Sequence, residues 1–368
     1  MSEGGEQNFL VGIFGENFLK RNLIGQALGA PGTKSDLIFY NRLDIGLGHV
    51  FCALTPVDYP DKIKPFLQAL TITDIHILVI DLQDGLTSVV GELLVGIDLF
   101  HQIFDTKPLV VLTGINSKTA WRLNEIKNKI QMILDTTSLK GLDIIELRDD
   151  NKDDLELIKK KIVEIGSDSL NSEESKQKYT KVLIDHVFPV KGIGTVILGV
   201  IKNGMLNAGE MMELVGYDGG ASKKIIVRSI QKHDRDFKKA FEGDRVGLAL
   251  KGTILTAEIS RDNMIVSQGI FCNESKITAE IHVNQFYKPK GGKIKPGDGT
   301  QYHAITELKF SPIKIVEGNE LIPGSSGTVE MLMDKPLFHD GSGLKGFITE
   351  LNKFNNKLRI IGYFIQKK

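Results

Sequence analysis

Two stretches of this chain carry residues at spacings that suit phosphate chemistry. Gly29-Ala30-Pro31-Gly32-Thr33-Lys34-Ser35 holds glycines, a lysine and a hydroxyl in close order. A phosphate-binding turn has backbone N–H groups facing the phosphates, a lysine on the β- and γ-oxygens, a hydroxyl on Mg²⁺, and a helix opening directly after it. Here one residue too many precedes Lys34, and the segment runs into the strand-like Asp36–Tyr40. It therefore reads as a turn or loop. The second stretch, Phe286-Tyr287-Lys288-Pro289-Lys290-Gly291-Gly292-Lys293-Ile294-Lys295, combines four lysines with two aromatics. It suits either a polyanionic backbone or a mobile, solvated hairpin. The two cysteines, Cys52 and Cys272, are too far apart for a metal knuckle and too few for a disulfide framework, so no metal site is expected.

The elements that must position such residues change character along the chain. From Phe9 to about Gly166, apolar runs alternate with amphipathic stretches, which predicts a parallel sheet covered by helices. The strands are expected at Phe9–Phe14, Leu37–Tyr40, Val50–Leu54, Ile75–Ile80, Leu109–Thr113 and Leu142–Leu147. After Asp153, the residues Leu155, Ile158, Ile162 and Ile165 form one apolar helical stripe, while Lys159, Lys160 and Lys161 face water. Trp121, on another amphipathic stretch, reads as a packing residue. Ser167–Lys178 is polar and reads as a linker. Beyond it, short β-rich runs are punctuated by Gly192, Gly194, Gly204, Gly209, Gly216, Gly243 and Gly252, the pattern of small β-barrels. A break near Gly269–Ser275 separates two of them. The expected division is an α/β domain over 1–170, a linker over 171–178, and barrels over 179–270 and 271–368.

Composition excludes several classes. At 368 residues the chain exceeds one core, and its 46 basic and 46 acidic side chains cancel, so no global field draws it to DNA or to an acidic membrane. No apolar run reaches bilayer length, and the first ten residues lack the features of a signal peptide. A soluble, cytoplasmic monomer is the expectation.

Asp185–Gly199, DHVFPVKGIGTVILG, followed by Gly204, Gly209 and the Gly243-Asp244-Arg245 run, resembles the second domain of translational GTPases of the EF-Tu class, especially the selenocysteine-specific elongation factor. The likeness covers roughly the whole chain in order. It implies a P-loop-NTPase-like α/β domain followed by two β-barrel domains. Phe9–Gly15 resembles the first strand and entry to the phosphate loop, and LVIDLQDG, ending at Asp84-Gly85, resembles the third-strand region. The chemistry of that loop is altered. Against the family pattern, Gly15 is retained, but Lys20 stands where the second glycine belongs, Arg21 where lysine belongs and Asn22 where Ser/Thr belongs. A side chain at Lys20 hinders close backbone approach, Glu16 adds a carboxylate, and the planar fork of Arg21 does not reproduce an ammonium. Leu54-Thr55-Pro56-Val57-Asp58 replaces the family's Asp-x-x-Gly-His. At the guanine-selecting position, Thr113-Gly114-Ile115-Asn116 puts an amide where a carboxylate accepts two hydrogen bonds. Glu146-Leu147-Arg148 replaces the base-contacting Ser-Ala-Lys.

The resemblance thus implies a vestigial nucleotide site at Gly15, Lys20, Arg21, Asn22 and Asn116, with no catalytic residue and no cofactor. The alternative is an active GTPase using GTP and Mg²⁺ through an atypical phosphate loop. It also implies an aminoacyl pocket at Asp185, His186 and Arg245, matching the Asp-His pair and Arg with which the selenocysteine branch reads an anionic side chain. Such a trio supplies a permanent charge, a donor that can protonate and an orienting carboxylate. The competing reading of Asp185 and Arg245 is a structural ion pair. Lys288, Lys290, Lys293 and Lys295 become candidate tRNA contacts. The implied function is a translation-elongation-factor-like protein that binds aminoacyl-tRNA, the ribosome or both, without a GTP switch.

Overall fold

The computed structural model describes residues 6–32, 34–44, 47–148, 151–170, 179–217, 221–251 and 254–367. The expected linker at 171–178, with Thr33 and Gly252, lies outside the described residues. The chain divides into two compact units, 1–174 with 352–359, and 175–351 with 360–368.

The first unit is built on strands β1 (Gln7–Gly15), β2 (Ala30–Pro31), β3 (Leu37–Asp44), β4 (His49–Pro56), β5 (Ile75–Asp81), β6 (Lys107–Ile115) and β7 (Ile144–Arg148). Helices α1 (Phe18–Leu28), α2 (Lys64–Ile72), α3 (Ser88–Phe104), α4 (Leu123–Leu134) and α5 (Lys152–Leu170) accompany them. The sheet order is β2-β3-β4-β1-β5-β6-β7. Every residue of β5 is buried, which is why the strand reads as a nearly continuous apolar run, broken only by His76 and closed by Asp81, rather than an alternating one. The α5 stripe behaves as its spacing predicts: Ile158 and Ile162 are fully buried in the main cluster, with Leu155 and Ile165 packed against it. Each such burial stabilises by about 1.5–3 kcal/mol. The expected purely parallel sheet is corrected on its β2-β3-β4 side, where both pairings are antiparallel. β3 and β4 run antiparallel, Leu37 opposite Pro56 and Asp44 opposite His49. Four residues separate these two strands, whereas a parallel crossover needs about a dozen.

The second unit holds two barrels. Lys181–Val190, Gly194–Asn203, Arg245–Lys251, Ala221–Lys232, Met211–Tyr217 and Met264–Val266 pair in that order, and the last returns to the first. Val182, Ile184, Ile197, Leu214 and Ile265 are among the side chains filling it. The other closed barrel runs Cys272–Val283, Ser326–His339, Lys309–Gly318, Gln301–Thr306, Lys345–Thr349 and Ile360–Gln366. The N-terminal α/β domain and two barrels agree with the predicted fold class. Glycine is required at Gly204, where φ is 72° and a Cβ would collide with the carbonyl of Tyr179. Among the described residues, no helix is long and apolar enough to cross a membrane.

Candidate functional site

At the C-terminal edge of the parallel strands, where open α/β sheets hold their ligands, the β1–α1 turn is short. Gly15 closes β1, and a Cβ there would lie 2.6 Å from the Val79 carbonyl, so close packing on β5 demands the glycine. Only Glu16 and Asn17 separate β1 from α1. Asn17 is the N-cap: its Oδ1 accepts from the N–H of Leu19 at 3.0 Å and of Lys20 at 3.4 Å. Its Nδ2 donates to Asp81 at 2.9 Å, and the second Asp81 oxygen accepts from the Gln83 N–H. Glu16 accepts from the Thr87 hydroxyl at 2.5 Å, the same hydroxyl that caps α3. Burial, followed by the charges of Asp81 and Glu16, pushes the Asp84 carboxyl above its usual range. This edge of the sheet therefore carries several carboxylates.

The expected nucleotide residues face elsewhere. Arg21 is 1% exposed and points under the sheet edge, donating to the Thr55 hydroxyl at 2.7 Å and to the carbonyl of Pro56. Burial lowers its guanidinium to about 10, which the neighbouring Tyr40 and Tyr59 only partly offset. Asn22 accepts from the Tyr40 hydroxyl at 2.9 Å. Asn116 organises its own turn, accepting from the Lys118 N–H at 2.9 Å and donating to the carbonyl of Gly114. Arg148 forks onto Asp154, and Glu146 pairs with Lys127. Within the Gly29–Ser35 stretch, Ala30–Pro31 pairs with β3. Trp121 corrects its expected role, because it is 73% exposed, with its indole N–H on the carbonyl of Lys118 and Arg122 lying 6.0 Å from its ring centroid.

In the first barrel the structure does bring Asp185, His186 and Arg245 together. Ile184 stands opposite Gly199 and His186 opposite Leu198, so Asp185 is the extra residue of a β-bulge. Its carboxylate is buried and receives a bidentate fork from Arg245, Nε at 2.9 Å and Nη2 at 3.1 Å. His186 Nδ1 lies 2.8 Å from the same carboxylate. Burial would raise the Asp185 carboxyl, but the Arg245 charge and the hydrogen bonds from His186 and Arg245 outweigh it, and the group sits below the ordinary range. The side chains of Arg245 and His186 keep 19% and 31% exposure. Arg261, absent from the sequence reading, donates from Nε to the Asp185 carbonyl at 3.3 Å. No local signal could have found a partner so distant in the chain. Asn17 was not singled out either, although an N-cap residue type directly before a helix is the signal that could have found it.

The lysine loop is anchored in the second barrel. Tyr287 is buried with its hydroxyl on Glu350 at 2.6 Å, Ile294 pairs with Leu321, and Lys293 bridges to Glu320 at 2.6 Å. Lys288, Lys290 and Lys295 are exposed.

No protein-family model matches the chain. Uncharacterized protein MJ0325 of Methanocaldococcus jannaschii is 33% identical over 314 residues, which cover 85% of this chain and 88% of that protein. The selenocysteine-specific elongation factor of the same organism is 27% identical over 248 residues, 64% of this chain and 49% of that one. The chain thus spans about half of that factor. Translation elongation factor SelB from Methanococcus maripaludis, solved in complex with the GTP analogue GppNHp, superposes with a TM-score of 0.80 at 22% identity, covering 100% of this chain and 80% of that one. A bacterial selenocysteine-specific elongation factor gives 0.77 at 17% identity, covering 98% and 58%.

Proposed function

This chain belongs to one family with the M. jannaschii protein MJ0325, within the translational GTPase superfamily of which the selenocysteine-specific elongation factors are members, and we propose that it holds aminoacyl-tRNA, the ribosome or both without a GTP switch. The observation that carries this reading is the β1–α1 turn. A phosphate loop works by keeping a series of backbone N–H groups open toward the anion. Here helix α1 starts at Phe18, and the Asn17 side chain takes the Leu19 and Lys20 N–H groups. Arg21, which stands where the phosphate-loop lysine belongs, donates from Nη1 to two acceptors of β4. Glu16, Asp81 and Asp84 add negative charge where a polyphosphate would bring more. GTP and Mg²⁺ therefore have no part in this reading.

Binding is assigned instead to the Asp185 bulge. Its carboxylate orients Arg245 and His186, whose partly exposed side chains suit an anionic or strongly polar group at an aminoacyl end. Lys288, Lys290 and Lys295 are taken as further tRNA contacts from the second barrel. The reading describes a cytoplasmic monomer whose domains divide at 171–178 and near residue 270. Two titrations test it. With fluorescent GTP and GDP in Mg²⁺, no binding is expected at micromolar concentration; saturable micromolar binding with ribosome-stimulated turnover would overturn the reading. With charged tRNA, Arg245→Ala is expected to weaken binding at least tenfold, and an unchanged affinity would remove the pocket from the proposal.

A further inference from the structure

The chain as a whole is neutral, yet residues 221–251 hold nine basic side chains against four acidic ones. Three of the nine are engaged: Lys223 with Glu258, Lys232 with the buried Asp244, and Arg245 with Asp185. Arg228, Lys238 and Lys239 are exposed, and among the described residues none of the three makes an ion pair.

Backbone pairing gathers these three around one turn. The short strand Met205–Asn207 pairs antiparallel with Lys239–Phe241, placing Met205 opposite Phe241 and Asn207 opposite Lys239. The chain then continues through Ala208, whose N–H donates to the Lys238 carbonyl at 2.8 Å, and Gly209, whose N–H donates to the Val227 carbonyl at 2.6 Å. Arg228 follows Val227 and is the extra residue of a second bulge, between Val227 and Ser229. Lys238 and Lys239 thus flank one side of the 207–209 turn and Arg228 the other, roughly two strand spacings or about 10 Å apart. Ala208 and Gly209 form a low, exposed floor between them, with open space above Gly209.

The same two-stranded ribbon presents an aromatic. Leu206 and Ala240 are buried, so the alternate residues Met205 and Phe241 face outward, 39% and 44% exposed. Lys239 shares the outward face with Phe241. The Lys232–Asp244 pair fixes this piece of the barrel from below, because Asp244 also accepts from the Phe241 N–H at 2.8 Å and Lys232 lies 4.6 Å from the Phe237 ring centroid.

An exposed phenylalanine flanked by uncompensated cations over a small-residue floor has the components of a single-strand binding platform: charges for the phosphates and a π-face for a base. An acidic protein would use the charges and leave the phenyl ring idle. We propose that Arg228, Lys238, Lys239 and Phe241 form a binding surface for an unpaired RNA segment, separate from the Asp185 cluster.

The test is fluorescence anisotropy of the full chain with a labelled single-stranded RNA of about 12 nucleotides, within the usual site size of such platforms. Lys238→Ala/Lys239→Ala is expected to weaken binding and to reduce the slope of log affinity against log salt by about 1.4, at about 0.7 per phosphate contact on a single strand. Phe241→Ser is expected to weaken binding roughly tenfold with the slope unchanged, as loss of one stacked base requires. Lys160→Ala, which removes an exposed charge from α5, is the control and is expected to bind as the wild type does. All variants are first matched to the wild type in melting temperature. The inference is overturned if the wild type does not bind the oligonucleotide, or if both sets of variants bind as the wild type does. Its failure is distinct from that of the aminoacyl pocket, which is read with charged tRNA and Arg245→Ala.

Discussion

Arg21 and Arg245 occupy corresponding roles in two regions, each an arginine beside the place where an anion is expected, and their surroundings treat them in opposite ways. Arg21 is enclosed: it is 1% exposed, it donates to Thr55 and to the carbonyl of Pro56, and burial depresses its guanidinium to about 10. Arg245 grips a carboxylate through two parallel hydrogen bonds and still keeps a fifth of its side chain in solvent. A guanidinium has five donors in a fixed fork. What distinguishes a binding arginine from a packing one is therefore how many of those donors the fold leaves facing outward. By that measure Arg21 is committed to packing, whereas Arg245 holds its carboxylate with 19% of its side chain exposed.

The comparison breaks most sharply at Asp185. Asp185→Ala leaves Arg245 and His186 around a buried vacancy with no counter-charge, and removing one partner of a buried ion pair typically costs about 3–5 kcal/mol. Urea unfolding of the wild type and the variant measures it. The pH dependence has a defined sign. Because the folded-state carboxyl lies below its ordinary value of 3.8, its contribution is fully present above that value and is lost as pH falls through the lower folded-state value. The wild type is therefore expected to lose stability steeply below about pH 4, and Asp185→Asn to lose that limb of the curve. A stability profile unchanged in acid would show that the carboxylate is not the organising charge.

Arg21→Met and Arg245→Met sharpen the contrast with a smaller effect. Arg21 donates to neutral acceptors, so Arg21→Met, which leaves the Pro56 carbonyl without that donor, is expected to cost about 1–3 kcal/mol and to leave charged-tRNA affinity intact. Arg245→Met is expected to cost at least as much, since Asp185 is left unpaired, and to weaken charged tRNA as well. Equal effects of the two on tRNA would erase the distinction drawn above.

Much of this was readable beforehand for a physical reason. Strands such as β5, buried on both faces, write themselves as apolar runs, and the α5 stripe repeats at helical spacing. Arg21, Asn22 and Asn116 stood out as the wrong residue types for a phosphate or guanine site, and each has a packing or turn partner. Other features depend on contacts that no local pattern encodes. The antiparallel β3–β4 pair follows from a short connection rather than from composition. The exposure of Trp121 depends on where the α4 helix meets the sheet, since Ile126, Ile130 and Leu134 already fill its buried face. The bulge that turns Asp185 inward is a register irregularity, and Arg261 reaches it from the segment leading into the neighbouring strand, Met264–Val266.

The smallest expected effect tests the acidic side of the sheet edge. Asp84 is exposed, and its carboxyl is raised by burial and by the charges of Asp81 and Glu16. A carboxyl raised on folding binds its proton more tightly in the native state, so its ionised form opposes folding, and that opposition is relieved as pH falls through the raised value. Asp84→Asn removes the charge at every pH. It is expected to stabilise the first unit by at most about 0.5 kcal/mol at neutral pH, within the range of surface substitutions, and to flatten the profile in mild acid. The same variant separates two reasons why nucleotide would fail to bind. If like charge alone kept polyphosphate away, Asp84→Asn would gain measurable affinity for GTP with Mg²⁺. If the Asn17 cap is the barrier, with the N–H groups of Leu19 and Lys20 already taken, the titration stays flat, and that is the outcome the geometry of α1 favours.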